Sequence, residues 1–201
     1  MSDEERTHWT SRWKTGEYNA RTQPSPLWEK WAPRLPKGPA LDIACGNGRN
    51  AIFLAKLGFQ VDAVDIASTA LKLARENSKK QRVKVNWIEA DLDTYEIPEN
   101  SYSLISVCFY ANRDLIPKIK DGLKPDGFIL YEHHYLSHVK VNGPENRQWR
   151  LRPNELIHQF IDFRIRFSEE GLVEDRGQTL AMEQLVAQKP PVKYEPPPLL
   201  K

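Results

Sequence analysis

The stretch Leu41-Asp42-Ile43-Ala44-Cys45-Gly46-Asn47-Gly48-Arg49-Asn50 decides the fold of this chain. A short apolar run ends in an acidic residue and a Gly-x-Gly turn, and a helix-like run, Ala51 to Leu57, follows at once. Gly58 supplies a helix stop, and a second apolar run, Phe59 to Val64, ends in Asp65. Strand, glycine turn, helix, strand and acid in this order make a nucleotide-binding βαβ unit. Gly46 and Gly48 permit a sharp turn and let backbone N–H groups approach a ligand that a β-carbon would hold away. Asp65, at the tip of the second strand, suits a pair of ribose hydroxyls because a carboxylate accepts two hydrogen bonds.

C-terminal to this unit, Ser68 or Thr69 begins a helix that runs to Lys80, with Ala70, Leu71, Leu73 and Ala74 on its buried face. Val83 to Ile88 alternates as a third strand and ends in Glu89-Ala90-Asp91. Tyr102 to Tyr110 is apolar enough for a central strand buried on both faces. Arg113 to Leu123 is helical in pattern except at Pro117, and Lys124-Pro125-Asp126-Gly127 is a turn before a fifth strand that begins at Phe128. Glu132 to Arg152 is rich in His, Asn, Gly and Pro and reads as a long loop, after which Pro153 opens a short helix to Phe160. Two last strands, Phe163–Phe167 and Leu180–Ala187, are joined by a polar connection through Gly171 and Gly177, with Glu169-Glu170 as an exposed charged turn. The expected fold is therefore α/β: a doubly wound, seven-stranded, mostly parallel sheet with a C-terminal antiparallel hairpin. Its ligand belongs outside the carboxyl ends of the strands, which carry Asp42–Gly48, Asp65, Asp91, Cys108–Arg113 and Glu132–His134.

N-terminal to the unit, His8, Trp9, Arg12, Trp13, Tyr18 and Asn19 interleave aromatic and polar groups without a core periodicity. Leu27, Trp28, Trp31 and Leu35 are spaced for a short amphipathic helix. These aromatics either form a lid over a ligand or cover one end of the sheet. The chain divides into an aromatic-rich segment (1–36), a ligand-binding domain (37–189) and a proline-rich tail (190–201).

The 201 residues suffice for one domain with a substantial core, and 40% hydrophobic with 28% charged residues is a globular profile. A formal net charge of +2 argues for neither nucleic acid nor anionic membrane as partner. No apolar run spans a bilayer, and Cys45 and Cys108 make no disulfide framework, so the expected location is the cytoplasm.

These residues resemble a class I S-adenosylmethionine-dependent methyltransferase over roughly Trp9 to Lys189. Leu41–Gly48 resembles the family's first motif, Val64-Asp65 its second, Glu89-Ala90-Asp91-Leu92 its third, and Leu123–Gly127 the turn before its fifth strand. The run Gly46-Asn47-Gly48-Arg49-Asn50-Ala51, with Arg152-Pro153-Asn154-Glu155-Leu156 later, is similar to the tellurite-resistance type of small methyltransferase. Ala44 stands where many relatives have a glycine, and Ser103 replaces an acidic residue common at the start of the fourth strand. The resemblance implies that Asp42 meets the methionine ammonium of S-adenosyl-L-methionine, directly or through water. It implies that Ala44, Gly46, Gly48 and Asn50 belong to the cofactor site, with Asp65 on the ribose and Ile66 on the adenine face. Asp91 would accept from the adenine amino group, Leu92 would flank the ring, and Cys108 and Phe109 would close the pocket. Trp13 and Tyr18 are the lid residues expected to touch the ligand, and S-adenosylhomocysteine is the implied product.

The turn also satisfies Gly-x-Gly-x-x-Ala, so an NAD-dependent oxidoreductase is the chief alternative. Asp42 opposes it: a carboxylate just before the turn would repel a pyrophosphate, whereas a methionine ammonium reverses that sign. A non-catalytic S-adenosylmethionine-binding module is a third reading. The acceptor is expected to be a small molecule, a thiol, a chalcogen oxyanion or another small nucleophile. Its expected pocket is Tyr110, Arg113, His133, His134 and Arg152, with a histidine as base for an oxygen acceptor. His133, His134 and His138 lack a metal-ligand spacing, and Cys108 reads as a small buried residue rather than a nucleophile. Val107-Cys108-Phe109-Tyr110 is unlike the Asp/Asn-Pro-Pro-aromatic motif that methylates base amino groups, and no basic run marks a phosphate track.

Overall fold

β1 (Pro39–Ile43), β2 (Gln60–Asp65), β3 (Asn86–Glu89), β4 (Tyr102–Cys108), β5 (Leu123–His134), β6 (Arg164–Asp175) and β7 (Gln178–Gln188) form one sheet in the order β3-β2-β1-β4-β5-β7-β6. This is a computed structural model, and it describes residues 3–15 and 21–191. The first five strands are parallel, while β7 runs antiparallel between β5 and β6. The order reverses between β1 and β4, which opens a crevice at their carboxyl ends. The helices are α1 (Asp3–Thr15), α2 (Pro26–Trp31), α3 (Arg49–Lys56), α4 (Ser68–Lys80), α5 (Ile116–Gly122) and α6 (Glu155–Gln159).

Alternation along the strands divides the buried residues into two cores. Leu41, Ile43, Ile105, Val107, Ile129 and Tyr131 face one, which also takes in Ile119 of α5 and Leu156 of α6. Ala40, Leu104, Leu130 and Val186 face the other, with Leu27 and Trp28 of α2, Leu54 of α3 and Leu71 of α4. Apolar strands with little polar relief follow from this burial on both faces. Trp28 is fully buried, so the α2 stretch of the N-terminal segment belongs to the same core as the sheet.

The structure differs from the sequence reading at several boundaries. α1 is a regular helix where no periodicity was expected; its strongly polar composition hid the spacing of Trp9 and Trp13, one helical turn apart. Of the two effects expected of Pro117, a kink or a shifted start, α5 shows the second: it begins at Ile116 and holds Pro117 in its first turn, where the missing N–H costs nothing. The hairpin is longer than expected, and Glu169-Glu170 and Gly171 lie within β6 rather than in a turn. Its reversal is the pair Arg176-Gly177, with φ of 51° and 74°, the two positive values of a tight I′-type turn. β6 is an edge strand, and that location tolerates its exposed charges. Tyr18 and residues 192–201 of the tail lie outside the described residues.

Candidate active site

The glycine turn is built from the backbone outward. Ala44, Gly46 and Gly48 all have positive φ (52°, 55° and 78°), and Cys45 N–H donates to Val64 O to keep the turn on β2. Asp65 fixes its curvature: one carboxylate oxygen accepts from Gly46 N at 2.7 Å and the other from Ala67 N at 2.8 Å. Burial raises the pKa of Asp65, and those backbone N–H groups oppose the rise. Each oxygen retains a second acceptor direction, so the backbone bonds do not use up the carboxylate's capacity for hydroxyl donors. Gly48 has a different role. A β-carbon there would stand 2.3 Å from the Trp87 ring, so glycine lets the start of α3 pack against β3.

Asp42 and Ser106 are register partners on β1 and β4, and Ser106 Oγ donates to Asp42 Oδ1 at 2.6 Å while accepting from Trp28 Nε1 at 2.8 Å. Asp42 is 1% exposed, and its Oδ2 has no protein partner. Burial pushes its pKa up to about 7, against the opposing effects of Ser106 and Arg49. A buried carboxylate oxygen without a donor is costly unless something supplies one.

A cleft opens over this turn. Of the expected cofactor residues, Trp13, Asp42, Ala44, Gly46, Asn50, Asp65, Ile66, Leu92, Cys108 and Phe109 line it, and Tyr110 joins them. Trp9, Arg21, Cys45, Asn47 and Arg49 complete the lining. Gly48 and Asp91 are not on its wall; Asp91 Oδ1 accepts from Asp93 N at 2.9 Å and organises the turn after β3. Trp13 reaches the turn because α1 packs along α4, and a β-carbon on Gly46 would be 2.9 Å from its ring. Thr69 Oγ1 donates to Thr10 O at 2.9 Å and pins that helix.

Asn47, Arg49 and Asn50 hold the segment before α2. Asn47 Nδ2 donates to Arg21 O at 2.9 Å, Arg49 Nη1 to Gln23 O at 2.9 Å, and Ser25 N to Asn50 Oδ1 at 3.0 Å. The Arg49-Asn50 pair is therefore partly architectural, a role that the residue types alone did not reveal.

The expected acceptor residues are not brought together. Arg113 donates to both oxygens of Glu155 (2.7 and 2.9 Å) and to Gln148 O and Arg150 O, which anchors the long loop to α6. His133 lies on the opposite sheet face from Glu132 and His134, and its Nε2 donates to Trp149 O at 2.6 Å. Arg152 is exposed beside Arg113 and His158, away from the glycine turn. His134 stacks on Phe109 with ring centroids 5.1 Å apart, behind the cleft wall rather than on it. Burial lowers the His133 pKa to about 4 and the His134 pKa to about 3, so both are neutral near pH 7 and poorly suited to serve as bases. Sequence reading missed Glu132 as a separate feature, because it stood at the start of an apparent loop. The register makes it the middle of a row, Cys108–Glu132–Gln184, across β4, β5 and β7.

Residues 40–127 match the family model described as a methyltransferase domain. An 86-residue stretch is 29% identical to the probable S-adenosyl-L-methionine-dependent methyltransferase TehB of Haemophilus influenzae, covering 42% of this chain and 30% of that protein. The crystal structure of TehB from Haemophilus influenzae superposes with a TM-score of 0.73 at 20% identity, over 90% of this chain and 67% of that one. A Haemonchus contortus phosphoethanolamine N-methyltransferase in complex with S-adenosyl-L-methionine gives 0.63 at 16% identity, over 82% of this chain and 51% of that one. The matches span 30 to 49% of the length of the first three curated relatives. The fold is that of the class I S-adenosylmethionine-dependent methyltransferases, and within it residues 40–127 match a methyltransferase domain. Within that class, TehB of Haemophilus influenzae is similar to this chain both in sequence, over 86 residues, and in fold, over most of its length.

Proposed function

We propose that this protein transfers a methyl group from S-adenosyl-L-methionine to a small acceptor. The observation that carries the proposal is Asp42: a buried carboxylate oxygen without a donor, on the wall of the cleft over a glycine turn. The ammonium of a methionine moiety supplies the missing donor, whereas a pyrophosphate brings a second negative charge to the same place. Bound there, the cofactor supplies a methyl group on a sulphonium, whose carbon–sulphur bonding pair leaves with sulphur as the acceptor's lone pair forms the new bond. Asp42 holds the amino-acid end, Asp65 offers its remaining lone pairs to the ribose, and Ile66 and Leu92 take the adenine faces. Trp9 and Trp13 of α1 are the lid and exclude water from the cleft, which leaves orientation of the acceptor as the main catalytic contribution.

The resemblance to the tellurite-resistance type extends this reading to a cytoplasmic enzyme acting on a thiol, a chalcogen compound or another small nucleophile. Calorimetry with S-adenosylhomocysteine and with NAD tests the proposal. Binding of the first and not the second is expected; tight NAD binding without S-adenosylhomocysteine binding would refute it. Binding without turnover of any thiol, chalcogen, phenol or amine acceptor would favour a non-catalytic module instead.

A further inference from the structure

A second cleft opens beside the first and shares Arg21, Arg49 and Phe109 with it. Glu132 and Gln184 contribute to its lining from adjacent strands, and the tip of the β6–β7 hairpin forms part of its rim. Glu132 is held by its row: Gln184 Nε2 donates to Oε2 at 3.0 Å and Cys108 Sγ to Oε1 at 3.2 Å. Arg49 Nη2 lies 4.0 Å from Oε1 and donates to Cys108 Sγ at 3.1 Å. Cys108 lines the first cleft and Glu132 the second, so this cluster stands where the two meet.

We infer that the second cleft is the acceptor site and that Glu132 recognises an acceptor whose nucleophilic atom carries its own proton, an amine or a hydroxyl. This rests on the methyl-transfer reading above. A carboxylate has about four acceptor directions, and the row uses only part of them. The arginines on this cleft are engaged: Arg21 with Asp175, Arg176 with Asp175 at 3.7 Å, and Arg49 with Glu132 and with Gln23 O. Among the described lining residues, carboxylates (Glu29, Glu132, Glu174, Asp175) outnumber those arginines. An oxyanion entering here meets a buried like charge and no uncommitted guanidinium, which disfavours it. An N–H or O–H group instead donates to Glu132, and its carbon skeleton packs on Phe109, Leu180 and Met182. In the transfer, the acceptor's lone pair forms the bond to the methyl carbon, the carbon–sulphur pair stays on sulphur, and the acceptor's proton passes to Glu132 and then to water.

The test uses the full chain saturated with S-adenosylhomocysteine, probed by NMR with benzylamine, phenol and sodium selenite at millimolar concentration. Benzylamine and phenol should shift the Gln184 side-chain amide, which reports on the carboxylate it bonds, and selenite should not. Glu132→Gln should weaken that binding by about 10- to 100-fold, the loss of a hydrogen bond to a charged group. S-adenosylhomocysteine affinity, measured on the same sample, shows that the variant is folded. Val173→Trp, at the exposed rim, should block both probes without disturbing the row. Selenite binding at Gln184, no shift with either protic probe, or probe binding unchanged in both variants would overturn the inference. Failure of the wild-type protein to bind S-adenosylhomocysteine would instead refute the methyl-transfer reading.

Discussion

Asp42→Asn separates the electrostatic account of the cofactor site from a purely steric one. Burial raises the Asp42 pKa to about 7, against the lowering effects of Ser106, Arg49 and the Ala51 backbone. A ligand ammonium favours the ionised form, so binding below that pKa must expel a proton. Affinity for S-adenosylhomocysteine then falls by about tenfold for each pH unit below 7, or about 1.4 kcal/mol per unit. Between pH 8 and pH 6 the loss is about tenfold, because at pH 8 the group is already ionised. His133 and His134, at about 4 and 3, stay neutral through this window and add nothing to the slope. Asp42→Asn should weaken binding at pH 8 by about 1.5–3 kcal/mol and flatten the profile. Calorimetry at pH 6, 7 and 8, in buffers of different ionisation enthalpy, reads both affinity and protons released. A flat wild-type profile, or a variant with the same slope, would refute the argument.

Ala44→Gly should stabilise the fold by about 0.5–1 kcal/mol, because Ala44 has a φ of 52° that glycine adopts without penalty; urea denaturation reads it. Arg113→Ala should lower stability by about 1–3 kcal/mol and raise hydrogen exchange over residues 147–155 while leaving S-adenosylhomocysteine affinity within about twofold, since its partners are Glu155 and loop carbonyls. Unchanged exchange with lost turnover would return Arg113 to the acceptor site. Acidification from pH 6.5 to 4 should draw protons onto His133 and His134 in the unfolded state only, and so cost stability, while Asp42 and Glu183, both raised to about 7, act in the opposite sense. His134→Gln should therefore make the melting temperature less sensitive to acid, or raise it, relative to wild type; a variant more acid-sensitive than wild type would contradict the assignment.

The parallel part of the fold was legible because its strands are apolar and its turns carry Gly and Pro, signals that burial on both faces forces on the sequence. The glycine turn, Asp42, Asp65 and Leu92 were legible for the same local reason: they succeed one another at strand ends. What escaped depends on lateral register. Glu132 gains its meaning from Cys108 and Gln184 on neighbouring strands, and no spacing along the chain encodes that pairing. Arg113 and His133 share a strand-end address with the site, yet Glu155 and alternation turn them elsewhere, and Arg152, in the connection before α6, lies exposed beside Arg113. α1 escaped because a helix with a polar surface nearly all round has little periodicity to detect.

The three bonds from Asn47, Arg49 and Asn50 to residues 21–25 bear on how this chain can be cut or joined. They stitch residues 21–25 to the residues that line the cleft, and Trp28 continues the seam through Ser106 to Asp42. A version trimmed to begin at residue 37, where sequence alone sets a boundary, would lose the tryptophan that donates to Ser106, leave a hole in the core beneath α3, and free Asp42 to turn. Grafting this glycine unit onto another sheet would carry the motif without its fastening. The portable piece is the motif together with its leader, from residue 21 onward.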